Sequence, residues 1–587
     1  MKSFLRFITR PNSLAIILVV LFALIASRDL FQIGYWNHHD DLQAMRVLEM
    51  EKCFMDGQFP CRWVPDMGYG FGYPLFNFYP PLPYYLGQVI RLFGFTFLGT
   101  VKALGVLAFV ASGVTMYFLG KELFGKKGGI LASIFYVWAP YHSVDVFVRG
   151  AYNEAFAMIW FPLTFLFSLK LIKEDKKLYK WIIGLALAWF GVFTSHNLMV
   201  LIFTPFFGIW TLLFLLKYKK LRRLPHLVIS GALAFGLASF FTLPVFFEKG
   251  LVQVDTLISG FFDYTAHFTT INQLFFSRFW GDGPSLWGPQ DEMPFPIGHF
   301  HWVIALIIAL YFGYRLLKSR KLSFITESDA ITASIFFLLM GAFTAFMTHN
   351  KSTFIWKALE SQLAFVQFPW RFLALNIFAF SALAGLVTYL LDRFRKDKTK
   401  LLNFALYQYE KLILIALIIG VVAWNWEFFG TDTFGPVTDE SKFSGVAWEL
   451  QQTAGIYDYL PKTANTAPKS PREVLAEFME GEGEIVNEKD ATKWSSFDLK
   501  VDEVPATIRV NTIYFPGWEL YVNEEERETF IPETEEWGRY YFTIDEPGYY
   551  NVRSEFHNTP IRTAGDYISL VSWTGLGLFI WRKRKSK

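Results

Sequence analysis

The chain has 587 residues, of which 53% are hydrophobic and 19% aromatic, and its mean hydropathy is +0.29. This length and hydropathy argue against a single soluble domain, because globular cores divide into domains well below this size. Since 18% of the residues are charged, membrane spans alone do not account for the chain, and a net charge of only +3 argues against nucleic acid as a partner.

Twelve apolar segments are long enough to be membrane spans, since a helix needs ~20 residues to cross a hydrocarbon layer of ~30 Å. The stretch from Pro80 to Phe95 is not among them, because its prolines and Arg91 suit an interfacial helix better than a crossing. The predicted spans lie near residues 12–28, 98–119, 129–148, 152–172, 180–196, 198–217, 226–246, 299–317, 329–347, 370–391, 410–428 and 567–582.

Basic residues predict the orientation of this array. Lys2, Arg6 and Arg10 precede the first span, and no small-x-small cleavage pattern occurs before Arg28, which favours a retained anchor over a signal peptide. With twelve spans every basic loop falls on the side of the N-terminus, and the positive-inside rule makes that side cytoplasmic. We therefore expect a multi-pass plasma-membrane protein with both termini in the cytoplasm. The basic segments are residues 121–127, 173–177, 217–223, 315–321 and 393–400 and the tail after Trp581.

The segments on the opposite side predict the domain organisation. Residues 29–97 and 247–298 are expected to be outer loops of a transmembrane domain that covers residues 1–428. Residues 429–566 are too polar for a membrane and are expected to form an extracytoplasmic domain. Residues 567–587 then supply a last span and a basic cytoplasmic tail.

The polar domain is predicted to be irregular to about residue 495 and to form strands after it. Between Tyr550 and Phe556 apolar or small residues alternate with polar ones, with the period of two that is typical of a strand. Pro547 and Gly548 form a turn signal directly before this segment. We predict a small antiparallel β-sandwich.

Two cysteines, Cys53 and Cys61, both lie in the first outer loop. In an oxidising compartment they can close a small disulfide that braces the loop. Two buried free thiols are the alternative.

The run Asn37-His38-His39-Asp40-Asp41 follows the first span directly. Adjacent carboxylates at a membrane surface are costly unless they bind something or take part in chemistry. Asp40 and Asp41 can accept a proton as a general base, or hold a divalent cation such as Mg²⁺ or Mn²⁺. The alternative is that Asp41 only caps the helix predicted to follow it.

Arg149 and Glu154 lie in a short turn between two predicted spans, close in sequence to Asp145 and His142. An arginine fork binds two phosphate oxygens at once, which suits a lipid phosphate or diphosphate. A mutual ion pair, or arginine extending to the interface, is the alternative. The extra polar neighbours favour a functional cluster, because a plain hairpin needs none.

Arg371 begins a predicted span and follows Trp370. The pair is a candidate for substrate binding, with the arginine on a phosphate, although a basic residue beside tryptophan is also a common interface anchor. Two further candidates are His196 and Asn197, in a polar turn that is expected to line a cavity. Tyr79 ends an aromatic stretch that either stacks on sugar rings or packs at the interface.

Several of these segments together resemble one family of bacterial and archaeal multispan proteins, often labelled 6-pyruvoyl-tetrahydropterin synthase-related membrane proteins. The polar domain is similar to the β-domain of YfhO-type proteins through Tyr514-Phe515-Pro516-Gly517-Trp518. The family resemblance is carried by Asp40-Asp41, Gly57-Gln58-Phe59-Pro60, Gly68 to Pro74, Tyr79-Pro80-Pro81, Arg149 to Glu154, His196-Asn197 and Phe368-Pro369-Trp370-Arg371-Phe372.

Such proteins resemble GT-C glycosyltransferases, which implies a GT-C-like helical fold and a sugar donor linked to polyprenyl phosphate. The resemblance implies Asp40 or Asp41 as base or metal ligand, Glu154 as an orienting acid, and Arg149 and Arg371 as phosphate ligands. The family pattern includes a histidine three or four residues after the acid, where this chain has glutamine and alanine. That departure favours the base over the metal ligand.

The sequence as a whole predicts a membrane glycosyltransferase that moves a sugar from this lipid-linked donor to a glycan, lipid or protein acceptor on the outer face. The alternatives are a flippase for lipid-linked glycans and a non-catalytic envelope-assembly protein. A flippase requires charged residues along the spans. The polar groups here gather at the outer ends of the spans, which counts against transport.

Overall fold

The computed structural model describes residues 11–286, 291–319, 322–396, 409–431 and 433–585. Lys2, Arg6 and Arg10, on which the predicted N-terminal anchor depends, lie outside them. The chain divides into two compact units. The first contains Met1–Asp41, Val101–Ala234 and Gly260–Pro436, and the second contains Leu42–Thr100, Phe235–Ser259 and Val437–Lys587.

Long apolar helices dominate the chain, and nine of those in the described residues are long and apolar enough to cross a membrane. The predicted architecture of many helical spans followed by antiparallel β-structure is thereby confirmed. Within the described ranges, the helices of nine or more residues are Pro11–Ala26, Gln43–Met55, Leu82–Arg91, Phe97–Val137, Tyr152–Lys173, Leu178–Ser195, Asn197–Lys217, Leu224–Glu248, His299–Ser319, Asp329–Met347, Leu373–Lys396, Glu410–Asn425, Gly445–Thr453 and Pro560–Lys585.

The count of nine differs from the predicted twelve at three places. The segment Phe97–Val137 counts once but holds two helices that meet at Gly125, where the backbone is not helical and φ is 79°, so both predicted spans have a helix there. The first predicted span is a helix of only 16 residues, Pro11–Ala26. The last, Pro560–Lys585, has 26 residues but carries charged residues at both ends. The ten-residue helix Leu82–Arg91 is ~15 Å long and too short to cross.

Strands occur in two places. In the first unit, β1 (Tyr35–Trp36) pairs antiparallel with β2 (Phe434–Gly435). In the second unit, eight strands form two antiparallel sheets, in the orders β4-β5-β10-β7-β8 and β3-β6-β9. Their bounds are β3 Ala476–Glu480, β4 Gly483–Asp490, β5 Trp494–Val501, β6 Ala506–Ile513, β7 Trp518–Val522, β8 Glu525–Arg527, β9 Arg539–Ile544 and β10 Gly548–Phe556.

The two larger sheets share one hydrophobic core, to which Leu499 and Val552 contribute from one sheet and Ile508 and Phe542 from the other. Alternate residues of β5 are buried, as expected for strands that cover a core on one face only. The strands of these two sheets begin at Ala476, earlier than the predicted residue 495. The prediction missed β3 and β4 because both are rich in glutamate and show little alternation.

The second unit also contains the segment after Asp41. Here the helix Gln43–Met55 leads to a disulfide between Cys53 and Cys61. Gln58 closes the turn between the two cysteines, because its side-chain oxygen accepts hydrogen bonds from the backbone of Arg62 and Trp63 at 2.7 and 3.0 Å.

A buried set of ion pairs holds the C-terminal helix within the second unit. Arg562 is fully buried and places Nε 2.8 Å from Oε2 of Glu248. Asn77 donates to the same oxygen at 2.9 Å. A second pair joins Arg62 Nη2 to Asp566 Oδ1 at 2.6 Å. Buried charges are tolerated only when they are paired and hydrogen-bonded, so each partner depends on the other.

We expect Glu248→Met to lower the free energy of unfolding by ~3–5 kcal/mol, because Arg562 then stays buried without its counter-ion. Unfolding of the nanodisc-embedded protein by heat or denaturant measures this loss. The double variant Glu248→Met/Arg562→Met is expected to be more stable than Glu248→Met alone.

Arg527→Met is the matched control, since Arg527 forms an exposed pair with Asp545. It should change the free energy of unfolding by no more than about 1 kcal/mol. Additive losses in the double variant would show that Glu248 and Arg562 do not stabilise each other.

Candidate active site

A break in the predicted span 129–148 creates the candidate site. The helix ends at Val137, and the chain continues through a short helix, Pro140–Ser143, and a π-helical turn, Val144–Val148. Pro140 lacks a backbone N–H and interrupts the preceding helix. The wide turn brings the polar residues of this stretch to one corner, instead of spreading them around a regular helix.

Gly150 closes that corner. Its φ is 62°, in the left-handed region that favours glycine, and a Cβ placed on it would lie 1.8 Å from Cδ2 of His38. The backbone therefore approaches the histidine ring closely because the residue has no side chain. The next helix, Tyr152–Lys173, starts two residues later and positions Glu154 in its first turn.

Arg149 is the centre of a buried charge cluster. Its Nη1 lies 2.5 Å from Oδ1 of Asp145 and 2.8 Å from Oε2 of Glu154. Tyr141 accepts a hydrogen bond from the same nitrogen at 3.1 Å and donates its hydroxyl to Oε1 of Glu154 at 2.8 Å. The guanidinium carbon lies 4.5 Å from the ring centroid of Trp370. Both carboxylates are fully buried, so the cluster is rigid and desolvated.

Arg371 lies beside the same acid. Its Nε is 3.7 Å from Oε2 of Glu154, and its Nη1 donates to the Val366 carbonyl and to Oε1 of Gln367, both at 2.7 Å. Gln367 has a φ of 65°, which is uncommon for a residue with a side chain, costs ~1–3 kcal/mol and occurs preferentially at binding sites. One carboxylate therefore lies between two guanidinium groups.

Two buried polar atoms of this cluster have no hydrogen-bond partner in the part of the chain that the structure describes. They are Nε of Arg371, a donor, and Oδ2 of Asp145, an acceptor. Buried polar groups in native structures are nearly always satisfied, by protein, water or ligand. Arg371 therefore retains one N–H for a further acceptor, and Asp145 retains one oxygen for a further donor.

Backbone hydrogen bonds join the Asp40-Asp41 run to this cluster. The N–H of His39 donates to the Val148 carbonyl at 3.0 Å, and the N–H of Asp40 donates to the Arg149 carbonyl at 2.9 Å. Trp36 anchors the start of the run by donating Nε1 to the Phe147 carbonyl at 3.1 Å. The two acids are thus fixed beside the π-helical turn.

The carboxylates of the run are partly exposed, unlike those of Asp145 and Glu154. Asp41 places Oδ1 3.7 Å from Nδ1 of the buried His38. The helix after the run begins at Gln43 with Leu42 at its cap position, so Asp41 is not the cap residue. A partly exposed carboxylate beside an imidazole remains accessible to a solvent-borne group.

The turn between the helices Leu178–Ser195 and Asn197–Lys217 lies next to the cluster. Asn153, adjacent to Glu154, donates to the Ser195 carbonyl at 2.9 Å. His196 caps the second helix, and its Nδ1 accepts from two backbone N–H groups at 3.1 and 3.3 Å. Because Nδ1 accepts both hydrogen bonds, it carries no hydrogen, and the ring hydrogen is on Nε2.

The structure brings most of the sequence-predicted residues together in the first unit. Tyr79 belongs to the second unit, where the Arg46 guanidinium lies 4.1 Å from its ring centroid. His142 places Nδ1 3.2 Å from the Tyr136 carbonyl oxygen. Asn197 is the first residue of the helix that His196 caps. The predicted residues that lie in the first unit are Asp40, Asp41, Arg149, Glu154, His196, Asn197, Trp370 and Arg371.

Two polar contacts of the cluster have no signal in the sequence pattern. Tyr141 lies within an apolar stretch and resembles an interfacial aromatic, and Gln367 resembles a loop residue. Pro140 is the one indication of a break that would turn Tyr141 toward the later polar residues.

The described residues include no group of three or more His, Cys, Asp or Glu side chains that could hold a metal ion. Divalent cations such as Mg²⁺ prefer several oxygen ligands, and the Asp40-Asp41 pair alone does not supply such a set. Among the described residues this pair therefore lacks a ready set of further protein ligands, and the divalent cation stays a prediction.

The chain resembles several known proteins. An uncharacterized protein of Lactococcus lactis subsp. cremoris (strain MG1363) is 23% identical over 318 residues, and the chain spans about half the length of this curated relative. The crystal structure of the Archaeoglobus fulgidus oligosaccharyltransferase tethered with an acceptor peptide aligns with a TM-score of 0.45 and 14% identity, over 79% of this chain and 61% of that one. ArnT from Cupriavidus metallidurans bound to undecaprenyl phosphate aligns with a TM-score of 0.38 and 12% identity, over 72% and 76%.

The family model described as 6-pyruvoyl-tetrahydropterin synthase related domain, a membrane protein, matches residues 76–429. The matched range includes Arg149, Glu154, His196 and Arg371 and begins after the Asp40-Asp41 run. Because it covers more than half of the chain, the protein belongs to this family of membrane proteins, as the sequence resemblance predicted.

Proposed function

We propose that the protein is an integral membrane glycosyltransferase that moves a sugar from a polyprenyl-phosphate donor to an acceptor on the outer face of the membrane. The observation that carries this proposal is the link between the two parts of the candidate site. Two guanidinium groups share one buried carboxylate, and backbone hydrogen bonds hold a partly exposed pair of acids beside them.

In this proposal the arginines bind the phosphate of the donor. Nε of Arg371 lacks a hydrogen-bond partner within the described residues, and a phosphate oxygen would satisfy it. Glu154 and Tyr141 orient Arg149, and the Trp370 ring lies against its guanidinium. Positive charge at this point stabilises the leaving phosphate as the bond to the sugar breaks.

Asp40 or Asp41 acts as the general base. The acceptor hydroxyl attacks the anomeric carbon of the sugar, and a carboxylate of the run takes its proton. The new bond joins the acceptor oxygen to the sugar, while the bond to the phosphate oxygen breaks and its electron pair leaves with the lipid phosphate. The basic loops support a plasma-membrane location, with both termini cytoplasmic and the β-domain outside.

Replacing Asp40 and Asp41 together with asparagine should reduce transfer by at least ~10²-fold, because the base is lost while size and fold are retained. Release of polyprenyl phosphate from synthetic polyprenyl-phosphate hexoses and pentoses, read by mass spectrometry in nanodiscs, measures transfer. Asp263→Asn is the matched control, because this partly exposed acid belongs to another loop of the same unit. Full activity in the double variant would rule out a carboxylate base in this run.

Arg371→Lys should raise KM for the lipid-linked donor about tenfold, because lysine keeps the charge but loses the planar fork. The KM of the acceptor should change little. Arg278→Lys serves as the control, since Arg278 forms an exposed pair with Glu427 in the same unit. An unchanged donor KM would identify Arg371 as an interface anchor without a role in donor binding.

We expect transfer to persist in EDTA, because among the described residues Asp40 and Asp41 lack a ready set of further protein ligands for a divalent cation. The comparison is made on one preparation, before and after chelation and after addition of Mg²⁺ or Mn²⁺. Loss of transfer in EDTA with recovery on either metal would instead support the metal-ligand role predicted from the sequence.

A further inference from the structure

The outer face of the five-stranded sheet contains a groove of about 490 Å³ that the proposed transfer reaction does not use. This volume falls within the range of small-molecule sites, ~300–1,000 Å³. Its residues come from β4, β5 and β10, and none of them belongs to the candidate active site. The principal lining residues are Glu484, Asn487, Asp498, Lys500, Tyr549 and Asn551.

Strand register places these side chains in two rows. Glu484, Lys500 and Tyr549 are paired across the three strands, and Asp498 is paired with Asn551 in the next row. Their neighbours Leu499 and Val552 are buried in the core, so the rows lie on the opposite face.

A β-bulge shapes one wall of the groove. The register between β4 and β5 shifts between Val486 and Lys489, and Asn487 within this shift has a φ of 57°. Bulges of this kind redirect a side chain, and asparagine tolerates the left-handed conformation better than most residues. Here Asn487 donates its side-chain nitrogen to Oδ2 of Asp498 at 2.7 Å.

Asp498 is held by amides from both sides, since Asn551 donates to its other oxygen at 2.8 Å. These two hydrogen bonds keep the pKa of Asp498 below its usual range, so it remains an ionised acceptor. Each side-chain amide donates one N–H to the Asp498 carboxylate. Its second N–H and its carbonyl oxygen can still bond to a ligand. The wall is therefore a fixed set of donors and acceptors.

Tyr549 supplies an aromatic surface at the other end of the groove, with 79% of its area exposed. The nearby charge of Lys500 is paired with Asp502 at 2.9 Å. The groove thus combines one open ring with planar amide and carboxylate groups, and it has little unpaired positive charge. An anionic polymer would find little free positive charge here. A lipid surface would remove water from the acids, which is costly, so neither ligand suits the groove.

We propose that this groove is a saccharide-binding site for a neutral glycan, with Tyr549 stacking on a sugar ring and Asn487, Asp498 and Asn551 bonding to its hydroxyls. A sugar presents an apolar C–H face and hydroxyls that both donate and accept, which matches this set of groups. The site goes beyond the proposed transfer reaction, because binding requires neither a donor nor the Asp40-Asp41 run.

Calorimetric titration of the full chain in lipid nanodiscs tests this site; nanodiscs are needed because maltoside detergents carry a sugar. The probes are maltohexaose, cellohexaose and mannohexaose, with a hyaluronan hexasaccharide as the acidic counterpart. At least one neutral probe should bind, Tyr549→Ala should weaken it about tenfold, and Tyr549→Phe should retain the affinity because the ring remains.

Tyr521→Ala is the matched control, since this tyrosine lies on β7 of the same sheet outside the groove and should leave affinity unchanged. The Asp40→Asn/Asp41→Asn variant should also bind like the unmodified protein, which separates this site from the proposed catalysis. Absence of binding by every neutral probe, binding of the acidic probe alone, or equal affinity in Tyr549→Ala would each overturn the proposal.

Discussion

The candidate site depends on burying Arg149 together with enough negative charge to keep it stable. A guanidinium removed from water is tolerated only if carboxylates and hydrogen bonds replace its hydration, and Asp145, Glu154 and Tyr141 do so here. Because Glu154 also faces Arg371, the position of each cation is coupled to the other through one acid. A preorganised pair of cations of this kind requires little rearrangement to bind an anion.

Much of the fold follows from patterns visible in the sequence. Apolar length indicated where most helices run, and the period of two in 550–556 matched β10. The break at Pro140 was not predicted, because segment 129–148 is apolar enough on average to resemble one span despite His142 and Asp145, and hydropathy does not register a π-helical turn. That same break brings Asp145 and Arg149 together. The wrong prediction of an unbroken span and the missed contact of Tyr141 therefore have one cause.

Short-range chemistry and long-range packing differ in how well they could be predicted. Arg149 and Glu154 are five residues apart, and a polar turn between apolar segments indicated that they belong together. Trp370 and Arg371 are more than two hundred residues further on, and their place beside Glu154 is determined by packing of helices that a single sequence does not encode locally. The strain at Gln367 is likewise a property of the folded chain.

The pairing of Glu248 with Arg562 also determines when the second unit is completed. The two residues are separated by 314 positions, and at ~5–20 residues per second the ribosome needs roughly 15–60 s to synthesise that interval. Throughout this time Glu248 exists without its guanidinium partner. The final docking of the C-terminal helix must therefore follow its synthesis, and a chain shortened before Arg562 would leave Glu248 without this counter-ion.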